Sequence, residues 1–208
     1  MQRQRRACVV SFDRSTPCVI RTAVLVLGLS LLFPCLSQAV RVGDQAPDFA
    51  LLDLDGVPHS LAEMPGKVVV LYFLGHNAAA CREPALALQT SLARFENRGV
   101  RILGIECWNG SAEQTRQFRS QSGVSFPILL AGQAVAQTYD LAYNSYVVVD
   151  GKGFVRYVHA GPDATAFSLS ELERVVEASI EDAAAVTNAT WGVIKALYDP
   201  RRRERMPV

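Results

Sequence analysis

A run of six consecutive apolar residues, Val68 to Phe73, gives the strongest secondary-structure signal in this chain. β-Branched and aromatic side chains fill much of the run, and no polar residue interrupts it. Such a run is typical of a strand that helices cover on both faces, the usual environment in a mainly parallel sheet. The chain has 208 residues, which is enough for one domain with a substantial core, so we expect a single domain built on such a sheet.

A helix and a second strand follow in the sequence. The spacing of apolar residues predicts a helix from Cys81 to Asn97, and Gly99 is a typical C-cap. Val100 to Cys107 then has the pattern of a second buried strand. The apolar positions that define the helix are Leu86, Leu88, Leu92 and Phe95. The elements predicted further along are a helix from Ser111 to about Gln121, a short extended piece in "SFPILL", a helix from Gln133 to Tyr139 and a last amphipathic helix opening at Ser168 or Ser170.

Two segments have the pattern of β-hairpins. "DFALLDLDGVPHSL" alternates apolar and polar residues on both sides of Asp55-Gly56, which predicts a tight turn there. "SYVVVDGKGFVRYVHA" contains two strand-like runs joined at Asp150 to Gly153. Together the predicted elements describe an α/β sandwich, with a mixed central sheet flanked by helices and an N-terminal β-hairpin extension.

The first 39 residues have the pattern of an export signal. Five arginines precede the apolar run Thr22 to Phe33, and the small residues Ser37 and Ala39 suit a cleavage site after Ala39. The segment is either removed there or kept as an uncleaved anchor. We therefore predict a signal peptide at residues 1–39, a folded domain at 40–185 and an amphipathic segment with a charged tail at 186–208.

Loss of the signal segment changes both the charge and the cysteine content. It removes five arginines and one aspartate, so the formal net charge falls from +1 to about −3. Apart from the terminal "RRRER", which we interpret as a solvated tail, no basic patch suited to nucleic acid remains, and we expect no nucleic-acid partner. Three of the five cysteines leave with the segment, and only Cys81 and Cys107 stay. These two and three scattered histidines lack metal-ligand spacing, so we expect neither a metal nor another cofactor.

Several blocks of the sequence, in order, resemble the thioredoxin superfamily, and most closely its redoxin and peroxiredoxin branch. The resemblance implies a thioredoxin-like fold and a thiol-dependent activity. It covers roughly Val42 to Ala184. The blocks are "VGDQAPDFALLDLDG", "GKVVVLYF" leading to "CREP", "GVRILGIE", "FPILL" and "VVVDGKGFVRY".

The sequence departs from the family at the positions that carry its chemistry. Thioredoxin-like oxidoreductases have a Cys-x-x-Cys pair after the strand; here Cys81 falls on the second cysteine and Ala78 on the first. The proline that these enzymes hold before the final hairpin falls on Asn144, and a buried acid falls on Tyr72. The peroxiredoxin motif shares only the cysteine, because its proline and threonine fall on Leu74 and Ala78.

Any redox function depends on Cys81. A helix N-terminus directs unpaired backbone N–H groups and a partial positive charge at a group placed there, and both stabilise a thiolate. We therefore expect Cys81 to be a reactive thiol within reach of solvent; the alternative is an inert buried cysteine. Arg82 adds positive charge if its side chain turns toward the sulfur, and His76 is a candidate proton donor. Otherwise both are solvated surface residues.

Cys107 is the internal thiol available to resolve an oxidised Cys81. It ends the strand expected beside Val68 to Phe73, which places both cysteines near one sheet edge. A disulfide requires Cα atoms within about 7 Å, so three states stay open: a catalytic bond to Cys81, a structural one, or a buried unpaired thiol. Glu106 and Cys107 point to opposite faces of a regular strand, so at most one of them faces Cys81.

Two functions are consistent with these features. The first is an exported thiol-dependent oxidoreductase or antioxidant, periplasmic or extracellular, in which Cys81 attacks a peroxide or a disulfide and Cys107 or an external thiol resolves the product. Its partners would be a small peroxide, a disulfide protein and an external thiol reductant. The second is a binding or envelope-associated protein whose catalysis has decayed, with residues 187–208 as its contact with the cell envelope.

Overall fold

A computed structural model of the chain describes residues 39–162 and 167–182. In that part, five strands form a central sheet, two more form a small hairpin, and four α-helices flank the central sheet. The strands are β1 (Ala50–Leu52), β2 (Pro58–Ser60), β3 (Val68–Leu74), β4 (Val100–Glu106), β5 (Ile128–Leu129), β6 (Ser145–Val149) and β7 (Val155–His159). The helices are α1 (Arg82–Leu92), α2 (Ala112–Ser122), α3 (Gln133–Tyr139) and α4 (169–182).

The central sheet is mixed and has the strand order β5-β4-β3-β6-β7. Its middle strand, β3, pairs with β4 in parallel and with β6 antiparallel, and all seven of its residues are buried. Tyr72 lies opposite Tyr146 in the β3–β6 register, so the two side chains project from the same face. The predicted α/β sandwich with a buried strand and a mixed sheet is confirmed.

Each face of the sheet carries its own apolar core. Val70 and Tyr72 project toward α1, α2 and α4, and we call this side the α1 face. Leu71 and Phe73 project to the opposite side, the α3 face, where α3 and Phe49, the residue before β1, pack. The buried apolar residues that the α-helices contribute to the α1 face are Ala85, Leu88, Leu92, Phe118, Leu172 and Val176. Successive side chains of a strand point to opposite faces of the sheet, so the position of a residue in the strand determines which helices it packs against.

Local sequence signals explain where several helices begin and end. Ser111 caps α2 in a capping box with Gln114. Ser168 accepts a hydrogen bond from the backbone N–H of Glu171 at the start of α4. The helix predicted at Cys81 to Asn97 consists of three parts, because 3-10 turns at Ala79–Cys81 and Ala93–Arg98 flank α1. Leu86 was expected in its apolar face, but that side chain is 43% exposed.

Both predicted hairpins are confirmed. In the first, Asp53 organises the turn between β1 and β2 by accepting hydrogen bonds from the backbone N–H groups of Asp55 and Val57 and from His59. Burial acts to raise the pKa of Asp53, but these hydrogen bonds outweigh it and hold that pKa below its ordinary value. In the second hairpin, Asp150 has the same role and also pairs with Arg156.

The predicted signal segment up to Gln38 and the predicted tail at 186–208 lie outside the described residues. Their boundaries therefore stay predictions. None of the described helices combines the length and the apolar character needed to cross a bilayer.

Candidate functional site

Cys81 lies at the start of the first long helix, as the sequence predicts. It ends the 3-10 turn Ala79–Cys81 and directly precedes α1. The expectation that its thiol is within reach of solvent is wrong, because the side chain is 0% exposed. Cys81 belongs to the inward stripe of the helix, which continues through Ala85, Leu88 and Leu92, all at 0%. The spacing i, i+4, i+7 and i+11 places these residues on one helix face, so α1 presses the sulfur toward the sheet.

A network of buried polar groups lies beside Cys81 on the α1 face. The Tyr72 hydroxyl is 3.0 Å from the backbone carbonyl oxygen of Cys81 and 3.2 Å from Oδ1 of Asn144. The Tyr146 hydroxyl donates to the same Oδ1 at 3.2 Å. The rings of Tyr72 and Tyr146 stack with centroids 4.8 Å apart, which holds both hydroxyls on Asn144.

Asn144 takes the place that the resemblance assigns to a proline. It immediately precedes β6, is buried, and has a left-handed backbone conformation with φ of +60°. Asparagine tolerates this conformation better than most residues. The sequence comparison indicated only the loss of the proline. The role of Asn144 as an acceptor for two tyrosines depends on contacts between distant parts of the chain and was missed.

Cys107 lies on the other face of the sheet from Cys81. Its side chain belongs to the apolar core of the α3 face, and its thiol donates to the carbonyl oxygen of Leu74 at 3.2 Å. Burial, reinforced by the nearby charges of Glu106 and Cys81, raises the pKa of Cys107 to about 12. Both cysteines are free thiols in this structure. These surroundings do not favour Cys107 as a resolving nucleophile.

Glu106 faces the α1 side, as strand alternation predicts, and organises the loop that follows β4. Its carboxylate is fully buried and accepts hydrogen bonds from the backbone N–H groups of Trp108 (3.0 Å) and Gly110 (2.7 Å). A third hydrogen bond, of 3.0 Å, joins it to Nδ1 of His76. His76 is thus held by a buried carboxylate and is not the exposed loop residue that the alternative interpretation described.

Two glycines allow the loops at this edge to approach each other. A Cβ atom on Gly110 would collide with the His76 ring, and one on Gly75 would lie 2.7 Å from the Trp108 ring. The His76 and Trp108 rings meet edge to face at 6.0 Å, and Trp108 is 44% exposed. The His76–Glu106 pair and its aromatic cover therefore form a closely packed unit at the carboxyl end of β3 and β4.

Arg82 is partly buried. Its Nε atom is buried and has no hydrogen-bond partner in the described residues. That the Arg82 side chain points toward the Cys81 sulfur stays a prediction. No group of three or more His, Cys, Asp or Glu residues that could hold a metal ion occurs within 39–162 and 167–182.

Comparison with known proteins identifies the family. Residues 42–158, more than half of the chain, match the AhpC/TSA family. The chain belongs to the AhpC/TSA family. Thiol-disulfide oxidoreductase ResA of Geobacillus thermodenitrificans is 30% identical over 158 residues, which cover 69% of this chain and 87% of that protein.

Solved structures show the same fold. The thioredoxin domain of a thiol-disulfide oxidoreductase from Bacteroides vulgatus superposes with a TM-score of 0.59 at 20% identity, covering 68% of this chain and 99% of that one. A secreted disulfide oxidoreductase of Mycobacterium tuberculosis gives a TM-score of 0.54 at 25% identity, covering 62% of this chain and 95% of the other. The expected thioredoxin-like fold and redoxin relationship are thus confirmed.

Proposed function

We propose that this chain is an exported thiol-disulfide oxidoreductase in which Cys81 is the single reactive thiol and an external thiol regenerates it. The position of Cys81 carries the proposal: the residue directly precedes α1, and the partial positive charge at the start of a helix favours a negative charge there. The relatives named as disulfide oxidoreductases support this reaction. The secreted relative and the arginine-rich, apolar first 39 residues support export.

The reaction is a pair of thiol-disulfide exchanges. The Cys81 thiolate attacks one sulfur of a substrate disulfide, so a bond between Cys81 and the substrate forms and the substrate's second sulfur leaves as a thiolate. An external thiolate then attacks the substrate sulfur of this mixed disulfide. Cys81 leaves as a thiolate, and the substrate carries a new disulfide to the external thiol. The chain returns to its starting state without an internal oxidant.

The surroundings of the two cysteines favour an external thiol over Cys107 for the second exchange. Ala78 occupies the position of the first cysteine of a Cys-x-x-Cys pair, so no second thiol lies within the turn. Cys107 projects from the opposite face of the sheet and has its pKa raised to about 12. A thiol that remains protonated at neutral pH attacks a disulfide slowly.

The Cys81 sulfur must become accessible before it reacts, because the side chain is fully buried in the closed structure. The 3-10 turn Ala79–Cys81 is the element that has to open. It has three residues and lacks a side-chain cap at Ala78, and a short uncapped turn has few interactions to hold it closed. Moving Ala79 and Ala80 aside would expose the sulfur while Cys81, β3 and α1 stay in place.

Disulfide turnover by matched cysteine variants tests the proposal. The purified chain is mixed with a model disulfide and an excess of a small thiol, and in a second series with a peroxide and the same thiol. We expect wild type and Cys107→Ser to turn over the disulfide at similar rates, and Cys81→Ser to show only the uncatalysed rate. Equal activity in wild type and Cys81→Ser would reject the assignment. Turnover of peroxide alone would keep Cys81 but replace the substrate class.

Burial of Cys81 favours a second candidate, a thioredoxin-fold binding protein without catalysis. In that case the thiol is one more core side chain, and residues 187–208 become the surface of interest. Its signature is an intact fold in Cys81→Ser together with no turnover of either substrate by wild type.

A further inference from the structure

We propose that the Tyr72 hydroxyl is the hydrogen-bond donor to the Cys81 sulfur during the reaction, and that Asn144 and Tyr146 position it. This inference rests on the proposed reactivity of Cys81. It assigns a chemical role to a residue that stands where the resembling proteins have a buried acid.

The Tyr72 hydroxyl has one proton and a choice of acceptors. The carbonyl oxygen of Cys81 is 3.0 Å away and Oδ1 of Asn144 is 3.2 Å away. The Cys81 side chain lies beside this hydroxyl as well, since it is among the causes, after burial, that raise the pKa of Tyr72. Because a hydroxyl donates only one hydrogen bond at a time, its proton can turn from an oxygen to the sulfur when the sulfur becomes negative.

Both oxygens keep another donor when the Tyr72 proton turns away. Oδ1 of Asn144 still accepts from Tyr146. Cys81 is the N-cap residue of α1, and the carbonyl of an N-cap residue accepts the first hydrogen bond of the helix. Neither buried acceptor is left unpaired, so the rearrangement avoids the cost of an unsatisfied polar group.

Tyr72 acts as a fixed donor and does not shuttle a proton. Burial, followed by the charges of Cys81 and Tyr146, raises the pKa of Tyr72 far above the ordinary value of 10.0. The hydroxyl therefore stays neutral over the range in which thiols titrate. It stabilises the Cys81 thiolate before attack and again when that thiolate leaves the mixed disulfide, and no proton is transferred in either step.

Tyr139 offers a matched control. Its hydroxyl is also buried and donates to a backbone carbonyl, that of Pro47 at 2.6 Å, but the side chain lies on the α3 face. Tyr139→Phe thus removes a comparable hydrogen bond without touching the surroundings of Cys81. Any effect that it shares with Tyr72→Phe reports on stability alone.

The test measures the alkylation rate of Cys81 in the folded chain, followed by mass spectrometry of its peptide from about pH 6 to pH 10. Hydrogen bonds to charged groups are strong, so we expect Tyr72→Phe to slow alkylation about tenfold at pH 7 relative to wild type. The difference should shrink as the pH rises, because the thiolate then forms without help. Tyr146→Phe should slow it by a smaller factor, because Asn144 then competes for the Tyr72 proton.

Three outcomes separate this inference from the proposed function. Slower alkylation in Tyr72→Phe but not in Tyr139→Phe, with convergence at high pH, supports the inference. Equal rates in wild type, Tyr72→Phe and Tyr146→Phe at every pH overturn it, while disulfide turnover that requires Cys81 keeps the proposed function. A wild-type Cys81 that is not alkylated under native conditions overturns both.

Discussion

Cys81 and Cys107 are both buried free thiols, yet the two faces of the sheet give them different surroundings. On the α1 face, Cys81 has a helix start and the Tyr72 hydroxyl beside it. On the α3 face, Cys107 has an apolar core and one carbonyl acceptor around it, and burial, followed by the charge of the adjacent Glu106, raises its pKa. Equal burial therefore does not imply equal chemistry: the groups around a sulfur decide whether its thiolate can form.

The largest expected effect is a difference in labelling between the two thiols. Raising the pKa of Cys107 from 9.0 to about 12 lowers its thiolate fraction at neutral pH by about a thousandfold. We expect iodoacetamide to modify Cys81 in the folded chain at pH 7 while Cys107 stays unmodified until denaturant is added. Peptide mass spectrometry measures both sites in one sample. Faster labelling of Cys107 than of Cys81 would reverse the comparison.

The charge of Glu106 is one of the causes that raise the pKa of Cys107, and a substitution can test it. Glu106→Gln keeps the size of the side chain but removes a charge that adds to the effect of burial in raising the pKa of Cys107. We expect Cys107 to label faster in this variant. We also expect the free energy of unfolding to fall by about 1–3 kcal/mol, because hydrogen bonds to a buried charged group are lost or weakened.

Glu113→Gln is the control for that variant. Glu113 is an exposed residue in the first turn of α2, where it pairs with Arg116 at 3.7 Å. Exposed ion pairs of this kind contribute little to stability, about 0.3–0.5 kcal/mol. Urea denaturation of both variants gives the two losses directly. Similar losses would show that the buried position of Glu106 has no special energetic role.

The fold could be predicted from the sequence because its signals are local. The β3 run, the caps at Ser111 and Ser168 and both hairpin turns each depend on neighbouring residues. The burial of Cys81 could be predicted as well, because its spacing to Ala85 and Leu88 places it on the inward face of α1.

The polar contacts of the site could not be predicted in the same way. His76 and Glu106 are 30 positions apart, and Tyr72 and Asn144 are 72 apart. These pairs meet only because β3 aligns with β4 and β6 in one particular register. A register shift by one residue would turn the side chains to the other face, so no residue pattern within one segment specifies the contacts.

The smallest expected effect comes from Asp53, a buried carboxylate outside the surroundings of both cysteines. Asp53→Asn should leave the labelling of Cys107 unchanged, because Asp53 is not among the charges that raise the pKa of that thiol. We expect Asp53→Asn to lower the free energy of unfolding instead. The pKa of Asp53 is lowered in the folded chain, so its carboxylate stabilises the fold above the ordinary value of 3.8 and loses that contribution as the pH falls through the lowered value.

Unfolding of wild type and Asp53→Asn from about pH 3 to pH 7 measures this contribution. The wild-type advantage should be full near neutral pH and decline only in the acid range. Accelerated labelling of Cys107 in both Glu106→Gln and Asp53→Asn would mean that loosening of the fold, and not the charge of Glu106, controls access to that sulfur. Acceleration in Glu106→Gln alone would assign that acceleration to the loss of the Glu106 charge.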